Sequence, residues 1–179
     1  MIAVDEFGPL SLQPQPGSAW APVNHPARQR ATYHRNEGIT VFMGAYDVGA
    51  NKLMGLSLDR KRHQEFLVFL RWLRAKYPDG DRIYVIADNL ATHHNKKVKR
   101  WAQQNGIEFT FTPTNASWLN PIEAHFGGIS EFVIKGSDYN SKTELRWEIQ
   151  KYLRWRNLHP SDKRIIKAQK KHQLYETRH

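Results

Sequence analysis

The sequence predicts an α/β domain built on a mixed sheet. Three observations predict it. Residues 83–88, IYVIAD, form a continuous run rich in β-branched and aromatic residues, which suits a strand covered on both faces. Residues 61–77 carry Phe66, Phe69, Leu70, Leu73 and Tyr77 at helical spacing. The segments also run strand, hairpin, helix, strand, helix, strand, an order that needs crossovers and leaves one antiparallel flank.

Taken in order, residues 2–7, IAVDEF, read as a short strand holding the acid pair Asp5-Glu6. Side chains alternate across a strand, so only one of the two acids shares a face with its apolar neighbours. Burying that acid unpaired costs roughly several kcal/mol. Either it meets a cation, or the segment is an edge strand with two solvated acids. Residues 9–38 hold five prolines and little periodicity, so they read as a long connection. Arg28, Arg30, His34 and Arg35 make its second half basic, as suits a clamp on DNA or a partner subunit, or an ordinary surface loop. Residues 39–59 read as a hairpin turning at GAN, with Asp47 beside the turn, where Asp is common for local reasons.

The helix over 61–77 stops at Pro78-Asp79-Gly80, and the strand 83–88 then ends in Asp88 and Asn89. Open α/β sheets place their sites at such C-terminal strand ends. Lys96, Lys97, Lys99 and Arg100 line the next helix, which ends near Asn105-Gly106, and IEFTF follows as a strand. The loop TPTNASWLNPIE leads into a helix for which Asn120 is the N-cap, Pro121 N1 and Glu123 N3, a capping box. Gly127-Gly128 weakens that helix by about 1 kcal/mol per glycine, so close packing is what the pair permits. Residues 141–158 form another helix, opened by the box Ser141-x-x-Glu144 and burying Leu145, Ile149, Tyr152 and Leu153. On it Trp147 and Trp155 interleave with Arg154 and Arg156, which suits nucleic acid or plain packing. Residues 161–179 read as a basic tail that frays or docks on a partner.

Composition narrows the function. At 179 residues the chain suits one domain with a full core, and six Trp, seven Tyr and eight Phe mark it as globular. The formal net charge of +10 points to an acidic partner, most often nucleic acid. Residues 1–59 carry four Lys/Arg against five Asp/Glu, whereas residues 141–179 carry eleven against four, so polyanion contact falls mainly in the second half. With no cysteine, disulfides, thiolate zinc sites and cysteine nucleophiles are excluded, and any metal sits on oxygen or imidazole. No apolar run approaches a membrane span, so no membrane is expected and the reading is a soluble, cytoplasmic protein.

Asp5, Asp88 and Glu123 each have a local excuse. Together they are a strand-centre acid, an acid ending a buried strand and an acid opening a helix, in a basic chain. If the first strand lies beside 83–88, the three carboxylates converge, and hard divalent cations would neutralise them. Two such ions about 3.5–4 Å apart can activate water or a DNA 3′-hydroxyl and stabilise the leaving oxygen of a phosphodiester.

These residues carry a resemblance. VDEFGPLSLQPQPGSAW with Asp5, IYVIADNLATHH with Asp88 and PTNASWLNPIEAHF with Glu123 resemble the catalytic domain of the IS630 branch of the IS630/Tc1/mariner transposases, and NLHPSDKR also looks familial. The 34 residues between Asp88 and the Glu123 of NPIE are the specific part. The resemblance implies an RNase H-like fold, a mixed five-stranded sheet with helices on both faces. It implies a DDE catalytic domain over 1–160, with 9–38 inserted as a clamp-like loop, and Asp5, Asp88 and Glu123 as catalytic and metal-binding residues for two Mg²⁺ or Mn²⁺ ions. Double-stranded DNA is the implied partner, at transposon ends and a TA target, with a homodimer in the synaptic complex and a bacterial, nucleoid-associated location. Arg28, Arg30, Lys96, Lys97, Lys99, Arg100, Trp118, Asn120, Arg154 and Arg156 are the expected nucleic-acid contacts. Members carry an N-terminal helix-turn-helix domain, and this chain starts just before the first acid, so it reads as a catalytic fragment or truncated copy. The alternatives are an RNase H-fold nuclease acting on hybrid or branched nucleic acid, and a non-catalytic DNA-binding or assembly module.

Overall fold

The apolar run at 83–88 does become a strand, buried at Ile83, Val85 and Ala87 but with Tyr84 exposed on its other face, and the rest of the sheet assembles around its neighbour. The structure is a computed structural model that describes residues 1–17, 38–114 and 116–176. Its strands are β1 (Ile2–Ser11), β2 (Ile39–Asp47), β3 (Lys52–Leu58), β4 (Ile83–Ala87) and β5 (Ile107–Phe111). Its helices are α1 (His63–Arg74), α2 (Lys96–Gln104), α3 (Glu123–Ile129), α4 (Lys142–Leu158) and α5 (Lys163–Glu176). The sheet order is β3-β2-β1-β4-β5. The β1–β2 and β2–β3 pairs are antiparallel and the β1–β4 and β4–β5 pairs parallel, the mixed sheet with one antiparallel flank that the segment order requires.

Alternation along the strands feeds two cores. On one face Ile2, Val4, Met43, Val85 and Ala87 pack against Phe66, Phe69, Leu70 and Leu73 of α1 and Val98 and Ala102 of α2. On the other, Ala3, Phe42 and Leu53 pack against Ile122, Phe126 and Ile129 of the α3 region and Leu145, Ile149 and Leu153 of α4. Each large side chain so buried is worth about 1.5–3 kcal/mol. At Gly44, opposite Asp5 in the ladder, a Cβ would lie 2.8 Å from Ile122 Cδ1. Lacking one, it lets the start of α3 sit down onto the strand that carries the acid.

Three expectations change. First, β1 is the central strand and not an edge, so its acids cannot both be solvated. It also runs on to Ser11, because a register shift between Phe7 and Leu10 absorbs Gly8 and Pro9, where proline has no N–H for the ladder. Second, Glu123 is the first residue of α3, and Asn120 is not a simple N-cap. Asn120 Oδ1 only accepts a long bond, 3.4 Å, from Ile122 N, because its amide is engaged on β1. Third, 163–176 is helix α5 and not a tail. Ile165 and Ala168 are buried, and α5 crosses α3 at Gly127, where a Cβ would lie 2.7 Å from Ala168 O. The box at Ser141 is as expected: its hydroxyl accepts from Glu144 N at 3.2 Å. Arg28 and Arg30, with most of the 9–38 connection, lie outside the described residues. No described helix is long and apolar enough to cross a membrane.

Candidate active site

β1 and β4 pair only at Ile2–Val85 and Ala3–Ile86. Beyond those rungs no further β1–β4 pair forms, and Asp5 and Asp88 stand at the end of that short ladder. Asp5 shares its face with Ala3 and is buried. Asn120 holds it there: Asn120 Nδ2 donates to Val4 O at 2.8 Å and, more weakly, to Asp5 Oδ2 at 3.4 Å. Asp5 Oδ1 accepts from Glu6 N at 2.7 Å. Burial pushes the Asp5 carboxyl up to about 8, with Glu123 the next contributor and Asp88 and Glu6 adding to it.

Asp88 directly follows β4. Its Oδ1 accepts from Leu90 N at 3.1 Å and from His93 Nδ1 at 2.9 Å. His93 is fully buried against the Phe66 ring, and its Nε2 donates to Glu6 Oε1 at 3.1 Å. Burial alone would lower the His93 pKa, but the bonds to Asp88 and Glu6 reverse this and raise it to about 10. The imidazolium in turn holds the Asp88 carboxyl below its ordinary value. Glu6 is therefore not the solvated partner of Asp5; it faces the opposite core and anchors the histidine that orients Asp88. Glu123 opens α3, with His172 Nε2 of α5 at 3.9 Å from its Oε2.

The structure thus brings Asp88 and Glu123 close enough to Asp5 for both to act on its carboxyl electrostatically. Among the described residues no group of three His, Asp or Glu side chains is arranged to hold one metal ion. The donor set is nevertheless hard-cation chemistry: carboxylate oxygens, one in a buried position that disfavours its own charge.

Of the expected nucleic-acid contacts, Lys96, Lys97, Lys99 and Arg100 are exposed on α2, and Trp118 is half-exposed on the turn before α3. Arg154 is exposed on α4, its guanidinium 5.1 Å from the centre of the Trp147 ring. Asn120 and Arg156 are corrections. Asn120 is buried beneath Asp5, because an amide is what satisfies both Val4 O and the carboxylate. Arg156 turns inward from α4 and donates to Asn51 O and, at 2.6 Å, to Asn51 Oδ1. His93, Glu6 and His172 are missed by sequence reasoning. Only the ATHH following a strand-end acid hinted at the first.

This sheet, with its acids between β1, β4 and α3, is the RNase H-like fold of DDE transposases and integrases. The match to the family of DDE superfamily endonucleases covers residues 1–146, and the chain belongs to that family. The Mos1 strand transfer complex is similar over 95% of this chain and 53% of that one, with TM-score 0.64 and 15% identity. The Mos1 mariner paired end complex with Mn is similar over 98% and 55%, with TM-score 0.60 and 14% identity. A chain of the simian T-cell lymphotropic virus intasome, in complex with the PP2A regulatory subunit B56 gamma, is similar over 66% and 42%, with TM-score 0.57 and 13% identity. The chain therefore spans about half the length of these solved proteins. No curated protein gives a significant sequence match.

Proposed function

We propose that this chain is the catalytic domain of an IS630-type transposase that cuts phosphodiesters at transposon ends and transfers the freed 3′ end into a TA target. The observation that carries the reading is Asp5: a buried carboxyl raised to about 8 by burial and by Glu123, beside Asp88 at the open end of the β1–β4 pair. Such a group is comfortable as an anion at neutral pH only with a cation at hand. Asp5, Asp88 and Glu123 would hold two divalent ions, Mg²⁺ or Mn²⁺, whose chemistry is to activate a water or 3′-hydroxyl and stabilise the leaving oxygen. His93 fixes the rotamer of Asp88 and leaves its second oxygen for a ligand. Asn120 fixes Asp5 in the same way. Lys96, Lys97, Lys99 and Arg100 on α2, with Trp118 and Arg154, grip the double-stranded DNA, and a homodimer forms the synaptic complex. Mos1, in its strand transfer and paired end complexes, supports the reading as a structural relative.

The test is cleavage of labelled duplex, with RNA–DNA hybrid in parallel, in Mg²⁺ or Mn²⁺. We expect metal-dependent nicking of the duplex by the wild type and at least 10²-fold less by Asp88→Asn and Glu123→Gln, as loss of an ion-holding group would bring. Equal cleavage by all three proteins sinks the carboxylate assignment. Cleavage of the hybrid alone makes the chain a hybrid nuclease.

A further inference from the structure

A second feature of the chain lies where α5 packs across α3. Between the start of α3, the end of α4 and α5 is a cleft of about 490 Å³ lined by Tyr46, Asn51, His125, Arg156, Gln169 and Lys170 among others. Arg156 is its charged floor. It is almost wholly buried, its Nε has no partner, and among the described residues no carboxylate pairs with it. Its neighbours are neutral: Asn51, the Tyr46 ring at 5.6 Å, and His125, which burial and Arg156 itself push down to about 3. A buried guanidinium without a counter-charge is costly, and in low-dielectric surroundings its field reaches out through the nearest opening.

The opening is rimmed by α5. Lys163, Lys167, Lys170 and Lys171 recur at i, i+4, i+7 and i+8, one face of a helix, and Lys170 belongs both to this face and to the cleft. None of the four is in an ion pair with a described carboxylate. Glu131, on which Lys171 and Lys167 act through space, is already paired with Lys135 at 2.8 Å. One residue past Lys171, His172 stands beside Glu123. Lys171 and His172 line one recess with Gly127 of α3, so the basic face borders the side of α5 that meets Glu123.

We propose that the cleft and the lysine face of α5 form one phosphate track for a DNA strand, with Lys170 as its direct contact at the junction and Arg156 charging the cleft from beneath. This rests on the DNA-processing reading above, and it adds a docking surface on α5, a helix outside the residues matched to the family. DNA is the occupant the surface fits, because several cations in a row, with an uncompensated one below, match a polyanion of regular spacing and not a single carboxylate.

The test is equilibrium binding of a labelled duplex over a salt series. Proteins are the wild type, Lys170→Gln, the four-lysine variant K163Q/K167Q/K170Q/K171Q, and Arg156→Gln, each checked by its melting profile. A phosphate contact contributes about −0.9 to the slope of log K against log salt. We expect Lys170→Gln to flatten the slope by about 1 and the four-lysine variant by about 3–4. Arg156→Gln should weaken binding at low salt several-fold; if that variant does not fold, the exposed lysines carry the test. Wild-type binding with slope and affinity unchanged in the lysine variants overturns the track and leaves the DNA reading standing. A wild type that binds no DNA overturns both. Inorganic phosphate raising the Tm of the wild type, with duplex affinity unchanged in the variants, assigns the cleft to a free anion and overturns the track. Binding to anionic vesicles but not to duplex overturns it in favour of a lipid surface.

Discussion

At the scale of residues, His93 decides how Asp88 is presented. It lies between two acids from distant parts of the chain, with bonds of 2.9 and 3.1 Å, and no solvent reaches it. Replacing it by Gln leaves Glu6 buried without its counter-charge, and we expect a loss of roughly 3–5 kcal/mol in denaturant unfolding. The double variant Glu6→Gln/His93→Gln should recover part of that loss; no recovery means that the pair is not coupled. Asp5 makes a prediction of opposite sense. Its folded pKa of about 8 lies above the ordinary 3.8, so the folded state keeps a proton that the unfolded chain has lost. That contribution is present below about pH 4 and is lost as the pH rises to about 8. In chelator, Asp5→Asn should therefore melt higher than the wild type at pH 8.5 and show no such gain at pH 4. In the wild type Mn²⁺ should raise the Tm most at alkaline pH, an effect the variant lacks. Asp88 and Glu123 were legible because each has a local signature, a strand end and an NPIE box, whereas Asp5, in mid-strand, stood out only once set beside them. Their supports were not, since Glu6 and His93 are 87 residues apart and Asn120 reaches back 116 residues to Val4. A contact that far along the chain leaves no trace in spacing.

At the scale of elements, glycine in α3 is what lets α5 dock. A Cβ at Gly127 would collide with the backbone of α5 at Ala168 O and with the His172 side chain, neither able to give way without moving the helix. Gly127→Val should cost about 1–3 kcal/mol by overpacking, read as a lower Tm. It should also lengthen the His172–Glu123 approach, read as a shift of the His172 imidazole resonances. A Tm equal to the wild type's would show that α5 does not depend on that crossing. The sequence made the glycine pair legible as a close-packing site, yet α5 itself read as a tail. The reason is that its apolar stripe is narrow, Ile165 and Ala168 within a run of cations, and its order comes from α3 more than from its own pattern. β1 misled in the same way: Gly8-Pro9 reads as a stop, and only the partner strand reveals that the register shift carries the ladder past it.

At the scale of the whole molecule, the two-sided core sets the division of labour. The α1/α2 face stabilises the sheet and lends the exposed basic side of α2, while the α3/α4/α5 face carries Glu123 and most of the remaining cations. With a net charge of +10, DNA affinity should fall steeply with salt, by about 10³-fold or more between 50 and 200 mM if six or more phosphates are contacted. A salt-independent affinity would contradict a role for this surface. The fold class was legible from the order and period of the segments, because strands alternating with amphipathic helices and a hairpin on one flank leave few ways to form a sheet. The cleft above Arg156 was not legible. Its floor, rim and walls come from four separate elements, and an inward-facing arginine looks the same in sequence as an outward one.

The short β1–β4 ladder has one more consequence. A sheet that stops pairing in mid-course has an internal edge, with main-chain groups that water or another chain would otherwise claim. Here Val4 O takes the amide of Asn120, and Glu6 N takes the carboxylate of Asp5. The first acid of the site thus doubles as a plug for its own backbone, and the split that opens the crevice is sealed by the residues that furnish it. Extending the β1–β4 pairing by even one rung would compete with both bonds, so a longer ladder and an Asp5 held in this position exclude each other in this sheet.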